Sequence, residues 1–327
     1  MHVRQLRRAV VGFAMAFLLG ACGGTAALPL RNDALSSVNL VSQAEQYDTP
    51  WDATPDPDGT QIYFTATGAQ GAGLFSVPAA GGATKPIAVG APFVAPRGLA
   101  ISSDGRQIYV ADAQATGSDG RPGRVFAVPA AGGAPTELTA TAGTAPRGLE
   151  VASENGADVL YLSGNLVGSG EPAVLKLALS GQAPAAVVAK GAPLVEPVGI
   201  AVAKNGTLFV ADRRASGGES GGVFRISGGK VELIARDVRT GTPVVGATLT
   251  LDDSALLVSA LAPDRDSAQV RLIELGTLNQ AIVNKVIEAN TGSGGVHRAH
   301  NRNFFAWADS TLPGPGRHRG GVYALTP

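Results

Sequence analysis

One pattern recurs six times along the chain, and it restricts the fold more than any other feature. A short segment of alternating apolar and polar residues runs into an Asp-Gly, Asn-Gly or similar turn. It reads PWDATPDPDG from Pro50, PRGLAISSDG from Pro96, PRGLEVASENG from Pro146, PVGIAVAKNG from Pro197, PVVGATLTLDD from Pro243 and GVHRAHNRN from Gly295. A second segment, rich in β-branched and aromatic residues, follows at once and ends at Ala66, Asp112, Gly164, Asp212, Ala260 and Asp309. Alternation into a tight turn and out into such a run is the pattern of an antiparallel hairpin. After a Gly-rich loop each unit has a third segment, GLFSVPAAGG, RVFAVPAAGG, AVLKLALSG, GVFRISGG, VRLIELG and GVYALTP in turn. The first five units then add a more polar fourth segment: KPIAVG, TELTAT, AAVVAK, KVELIAR and NKVIEA.

The turns at Asp58, Asp104, Asn155, Asn205, Asp252 and Asn301 follow one another at intervals of 46, 51, 50, 47 and 49 residues. Four strands in a unit of that length make a propeller blade, so the expected fold is all-β: a six-bladed β-propeller. The sixth unit lacks its outer strand at Pro327. Residues 36–44, SSVNLVSQA, have the pattern of an outer strand and stand before the first blade. They are expected to complete the last blade, closing the ring and removing exposed sheet edges. With 44 Gly and 21 Pro in 327 residues, long helices are not expected. A hydrophobic content of 45% with 16% charged residues is that of a folded chain.

The first 22 residues differ from the rest. Arg4, Arg7 and Arg8 precede an apolar run from Ala9 to Leu19, too short to span a bilayer comfortably and laid out like an export signal. Leu19-Gly20-Ala21-Cys22 resembles the bacterial lipobox, and Cys22 is the only cysteine. The resemblance implies cleavage before Cys22, a lipid on its thiol and a mature chain of 306 residues. Gly23 stands where Asp is the usual inner-membrane retention signal, so outer-membrane attachment is expected in a Gram-negative cell. The expected organisation is a signal peptide over 1–21, a lipidated Cys22 with a tether over 22–35, and a propeller over 36–327. Without the three leader arginines the chain has 23 basic against 26 acidic residues. That balance argues against a nucleic-acid partner, which needs a basic face.

The repeated grammar PxGLAxxxDGxxxYVAD resembles that of NHL-repeat and senescence-marker-protein/gluconolactonase-like six-bladed propellers over essentially the whole mature chain. Such a fold hosts many functions, so the site must be argued from residues. The inner strands start, and the second strands end, at one mouth. The residue after each proline, together with His297 of the sixth unit, gives a first ring of Trp51, Arg97, Arg147, Val198, Val244 and His297, and the second-strand ends give another. Metal-dependent lactonases of the resembling family hold a divalent cation with Asn or Asp in that first ring and a Glu nearby. Arg97, Arg147 and Val198 depart from that pattern. Asp52 and Glu150 remain as carboxylates near the channel.

Asp112, Asp212 and Asp309 are candidates either for metal binding or for capping the loops they begin, and capping is the expected role. Arg97 and Arg147 on adjacent blades are suited to clamp a carboxylate or phosphate. His297 and His300, three apart on a strand, are expected on opposite faces, with His318 further along. Gly218-Glu219-Ser220-Gly221-Gly222 matches the serine-hydrolase pattern but lies between two strands, without the strand-to-helix elbow that pattern needs. Long loops follow Asp112, Asp212 and Asp309, on every second blade, and are expected to be flexible. The sequence is thus read as a cell-envelope lipoprotein whose mouth, Trp51, Asp52, Arg97, Arg147, Glu150 and His297, holds an envelope protein or a small anionic ligand. The alternatives are a metal-dependent hydrolase or lactonase using calcium or zinc and, further off, a quinone-cofactor dehydrogenase.

Overall fold

A computed structural model describes residues 35–327 except 36, 44–46, 69, 181–182, 219, 241–243, 263–266, 289–291 and 312–318. Cys22, the export segment and His318 lie outside the described residues. Six four-stranded antiparallel sheets form the blades. From inner to outer strand, blade 1 runs from Thr49–Pro55 to Lys85–Val89 and blade 2 from Gly98–Ile101 to Thr136–Glu137. Blade 3 runs from Thr144–Glu154 to Ala186–Lys190, blade 4 from Pro197–Val202 to Lys230–Arg239 and blade 5 from Ala247–Leu249 to Gln280–Glu288. The only helix among the described residues is one turn, Thr139–Thr141.

Blade 6 is assembled from both ends of the chain. Its strands Val296–Arg298, Phe305–Ala308 and Val322–Thr326 are completed by Ser37–Ser42, which pairs antiparallel with Val322–Thr326. The closing strand is stitched at its start by Ser37 Oγ and Thr326 Oγ1, 2.6 Å apart. Leu35, just before it, is buried with Leu257, Trp307 and Leu325.

The core is divided among the seams between blades. Each of six apolar clusters is drawn from two neighbouring blades, such as Tyr63 and Leu74 on one side and Leu99, Ile108 and Phe126 on the other for blades 1 and 2. Inward and outward alternation along each strand makes this inevitable, because both faces of every sheet are covered by another sheet. At the blade turns, polar side chains bracket one blade to the next. Asp158 accepts from Ser103 N at 2.9 Å, Asp253 from Lys204 N at 2.8 Å, and Asn301 Nδ2 donates to Asp58 at 2.7 Å. Asn155 takes a left-handed φ of 51° ahead of Gly156, as a tight Asn-Gly hairpin turn requires.

Around the axis, one position per blade comes too close to its neighbour for a side chain. A Cβ on Gly98 would lie 1.9 Å from Arg147 O, one on Gly148 1.7 Å from Val198 O, and one on Gly246 1.8 Å from Val296 N. Gly199 and Gly295 are equally closed in. In blade 1 this position is Asp52, whose carboxylate accepts from Leu99 N of blade 2 at 3.0 Å and from its own Ala53 N at 2.9 Å.

Two long loops differ from expectation. In blade 2 the strands continue as Gln107–Thr116 and Pro122–Pro129, and in blade 4 as Leu208–Gly217 and Ser220–Ser227, so both form extended hairpins rather than flexible spacers. The blade 2 hairpin is built around Arg124, wholly buried, which donates to Glu137 at 2.6 Å, to Gly123 O at 2.7 Å and to Asp119. Ser220 of the Gly-x-Ser-x-Gly match opens the returning strand of the blade 4 hairpin and donates to Asp237 at 3.0 Å. It is not on a strand-to-helix elbow.

Candidate functional site

Just before the ring position, which is Asp52 in blade 1 and a glycine in the others, the inner strands of blades 1, 3 and 4 each carry a bulge, at Trp51, Arg147 and Val198. The extra residue has no partner in the ladder, which frees its side chain for the mouth. The ring glycines correct the expected register in blades 5 and 6. Gly246 pairs with Ser259 and Gly295 with Ala308, so Val245 and Gly294, rather than Val244 and His297, correspond to Arg97 and Arg147. The cause is local: these two blades enter their inner strands through Val-Val-Gly and Gly-Gly, without the Pro-x-Gly that marks the others. His297 stands two residues past its glycine, as Glu150 stands two past Gly148. Both therefore belong to a deeper ring, on opposite blades.

This deeper ring crosses the channel. His297, 5% exposed, has Nε2 3.2 Å from Asp52 Oδ2 and Nδ1 3.3 Å from Glu150 Oε2. Burial works against the imidazolium, but the Asp52 and Glu150 carboxylates outweigh it and raise the His297 pKa to about 10. With a proton on each nitrogen the ring donates to both carboxylates. The opposite wall is apolar, with Leu149, Val198, Ile200, Val244 and Val245, and the space left there is about 10 Å³, the size of one water. Below it Arg298 donates to the carbonyls of Leu249, Ala299 and His300, and His300 donates from Nε2 to Ile101 O at 3.1 Å. His297 and His300 thus serve different neighbours.

These residues do not fit the divalent cation that the resembling lactonases hold. The His297 ring lies between the two carboxylates, where a shared ion would have to sit, and Asp52 already accepts two backbone amides. Among the described residues no group of three His, Cys, Asp or Glu is placed to hold a metal.

Asp112, Asp212 and Asp309 are buried loop caps. Asp112 accepts from Val94 N and Ala95 N at 2.8 and 2.9 Å and from Gln114 N and Ala115 N at 3.0 Å. Asp212 accepts from Val195 N, Glu196 N and Arg214 N, and Asp309 from Thr311 N and Oγ1. The blade alternation seen in the sequence has this structural meaning. The even blades end the second strand in Ala-Asp; in blades 2 and 4 the aspartate caps the incoming crossover, and in blade 6 it caps the loop that follows. Odd blades carry Thr65, Ser163 and Ser259, whose hydroxyls tie the inner strands instead, Thr65 to Arg97 O at 2.8 Å and Ser163 to Val198 O.

At the mouth, Trp51, Arg97 and Arg147 come together as expected. The Arg97 guanidinium lies over the Trp51 ring, 5.0 Å from its centroid. Between blades 2 and 3 opens a cavity of about 170 Å³ lined by Ala95, Arg97, Ala113, Gln114, Pro146 and Arg147. Arg147 Nη1 is buried without a hydrogen-bond partner. Burial lowers the pKa of both arginines and the like charge of Arg213 adds to this, against the pull of Asp112 on Arg97 and of Glu196 and Asp212 on Arg147, and a guanidinium keeps its charge at neutral pH. Arg213 of blade 4, which sequence reasoning did not single out, is paired with Glu196 at 2.6 Å. The contrast with other arginines is sharp: Arg124, Arg213, Arg225, Arg271 and Arg298 each donate to a carboxylate or carbonyl. Among the described residues, Arg97 and Arg147 have neither.

No family model and no curated protein sequence matches the chain. Solved structures do. A PQQ-bound aldose sugar dehydrogenase from Streptomyces coelicolor superposes with a TM-score of 0.62 at 13% identity, covering 89% of this chain and 98% of that one. A gluconolactonase from Xanthomonas campestris gives 0.57 at 14% identity over 89% and 90% of the two chains. TolB from Acinetobacter baumannii gives 0.54 at 12% identity over 87% of this chain and 65% of that one. At these identities the likeness is one of fold: the chain is a six-bladed propeller resembling the gluconolactonase-like group in architecture.

Proposed function

We propose that this chain is an exported, lipid-anchored binding protein of the bacterial envelope. In this reading its propeller mouth holds an anionic group, carried by a small ligand or displayed by an envelope partner. The observation that supports it is the pair Arg97 and Arg147, two half-buried guanidiniums facing one cavity without a hydrogen-bonded acceptor. Holding two like charges together costs electrostatic energy that an incoming anion recovers, and guanidiniums match carboxylate and phosphate edges in two-point fashion. The fold is shared with proteins named as TolB and with enzymes alike, so the choice rests on the site. The loop-capping aspartates and the mutually bonded Asp52–His297–Glu150 set leave the mouth without a nucleophile and base in contact, which favours binding over hydrolysis.

The test is calorimetry on the full-length protein in non-ionic detergent at low ionic strength, with sulfate, succinate and acetate as probes. Saturable binding weakened at least about tenfold in Arg147→Ala and in Arg97→Ala is expected. An absence of heat from all three anions would remove this reading. The anchor is tested separately, by mass spectrometry of the N-terminal peptide from membrane-extracted protein. A diacylglycerol adduct on Cys22, lost in Cys22→Ser, is the expected result.

A further inference from the structure

Blades 2 and 4 share one local sequence plan, and they differ at the two places that decide the electrostatics of the mouth. The crossover into blade 2 reads Pro92-Phe93-Val94-Ala95-Pro96, and that into blade 4 reads Pro193-Leu194-Val195-Glu196-Pro197. The capping aspartates are followed by Ala113 in blade 2 and by Arg213 in blade 4. Ala95 and Ala113 line the open cavity of about 170 Å³. Their blade 4 counterparts, Glu196 and Arg213, are joined instead, Nη1 to Oε1 at 2.6 Å. Asp212 fixes the geometry, because both its oxygens accept the Glu196 amide, and Arg213 N donates back to Glu196 O at 3.0 Å.

The pair is therefore an internal anion–guanidinium contact beside the cavity. Glu196 attracts Arg147, whereas Arg213 repels both Arg147 and Arg97. Arg213 keeps its Nε buried and without a partner, so Glu196 satisfies it only in part. Asp112 also attracts Arg97, and Asp212 attracts Arg147, but the oxygens of both aspartates are taken up by backbone amides, so Arg97 and Arg147 keep their donors free of a carboxylate partner among the described residues.

We infer that the mouth selects compact dianions over monoanions, and that Glu196 is the specificity-determining residue, an internal competitor that neutralises Arg213 and limits how tightly any anion is held. This rests on the anion-binding reading above and goes further by naming the charge of the ligand and the residue that sets it. The shared chemistry is two negative charges within reach of both guanidiniums, met by a tetrahedral oxyanion or by a short dicarboxylate.

The experiment compares sulfate, succinate and acetate by calorimetry on full-length wild-type, Glu196→Gln and Arg213→Gln proteins. Wild type should bind a dianion at least about tenfold more tightly than acetate. Glu196→Gln should tighten acetate by about threefold and the better dianion by about tenfold, since the gain scales with ligand charge. Arg213→Gln should do the reverse, because it releases Glu196 to compete for Arg147. Whether sulfate or succinate gains more identifies which geometry the cavity accepts. Equal affinity for dianion and monoanion, or affinities unmoved in both variants while Arg147→Ala still abolishes binding, would overturn the inference and leave the anion site standing. Loss of all binding in wild type would overturn both. Thermal melting without anion, expected within about 2 °C of wild type for each variant, separates these outcomes from misfolding.

Discussion

Arg124 and Arg147 lie on neighbouring blades of one ring, yet they live in opposite surroundings. Arg124 is wholly enclosed in the blade 2 hairpin, with Glu137, Asp119 and a carbonyl consuming its donors. Arg147 sits on a strand bulge at the edge of a cavity, with Nη1 buried and without a hydrogen-bond partner, drawn by Glu196 and repelled by Arg213. A guanidinium surrounded by acceptors holds a structure together. One that the fold brings into place and then leaves unmatched is held for something that is not part of the chain.

Substitutions should separate the two environments cleanly. The largest effect is expected for Arg124→Ala, which empties the hairpin and strands Glu137; it should lower the unfolding free energy by about 3 kcal/mol, read from urea denaturation. His297 is the same kind of enclosed cation made titratable. Its folded pKa of about 10 lies above the ordinary 6.5, so its contribution is complete below pH 6.5 and is lost as pH rises toward 10. The urea midpoint of wild type should fall across that window, and His297→Gln should lack this fall while starting from a lower stability at pH 6.5. A midpoint rising over the same range would contradict a protonated ring between Asp52 and Glu150.

Arg147→Ala should change stability by no more than about 0.5 kcal/mol, with relief of repulsion offsetting lost packing, even as anion affinity drops. A loss of the Arg124 size would make Arg147 structural and dissolve the contrast. At the small end is Lys190→Ala, which breaks an exposed pair with Glu171 at 3.0 Å and should cost about 0.3 kcal/mol.

The fold was open to reading because its signals are local. Turn residues at Asp58, Asp104, Asn155, Asn205 and Asp252 mark hairpins wherever the blades end up, and the strand before Pro50 had one vacant edge to fill. Arg97, Arg147 and Trp51 could be placed at one mouth because blades 1 to 3 share the proline register. The contact of His297 with Glu150 was hidden because it joins residues 147 apart across the axis, and because the last two blades do not enter through Pro-x-Gly. Aligning the repeats on Gly98, Gly148, Gly199, Gly246 and Gly295 would have put His297 level with Glu150 and shown Asp52 as the one side chain in a ring of glycines. Glu196 and Arg213 were missed for a different reason. Each reads as an ordinary surface charge until the Asp212 cap folds the crossover back onto the strand end.

The closing strand Ser37–Ser42 also gives the ring a mechanical character. Any tension arriving along the chain from before Leu35 enters the propeller through this strand, whose ladder to Val322–Thr326 joins the two ends of the chain by hydrogen bonds. A pull on that end would tug first at Leu35 in its apolar seam and at the Ser37–Thr326 contact, long before it reached the mouth between blades 2 and 3. The ring thus has a clasp, set on the blade opposite blade 3 and so away from Arg97 and Arg147.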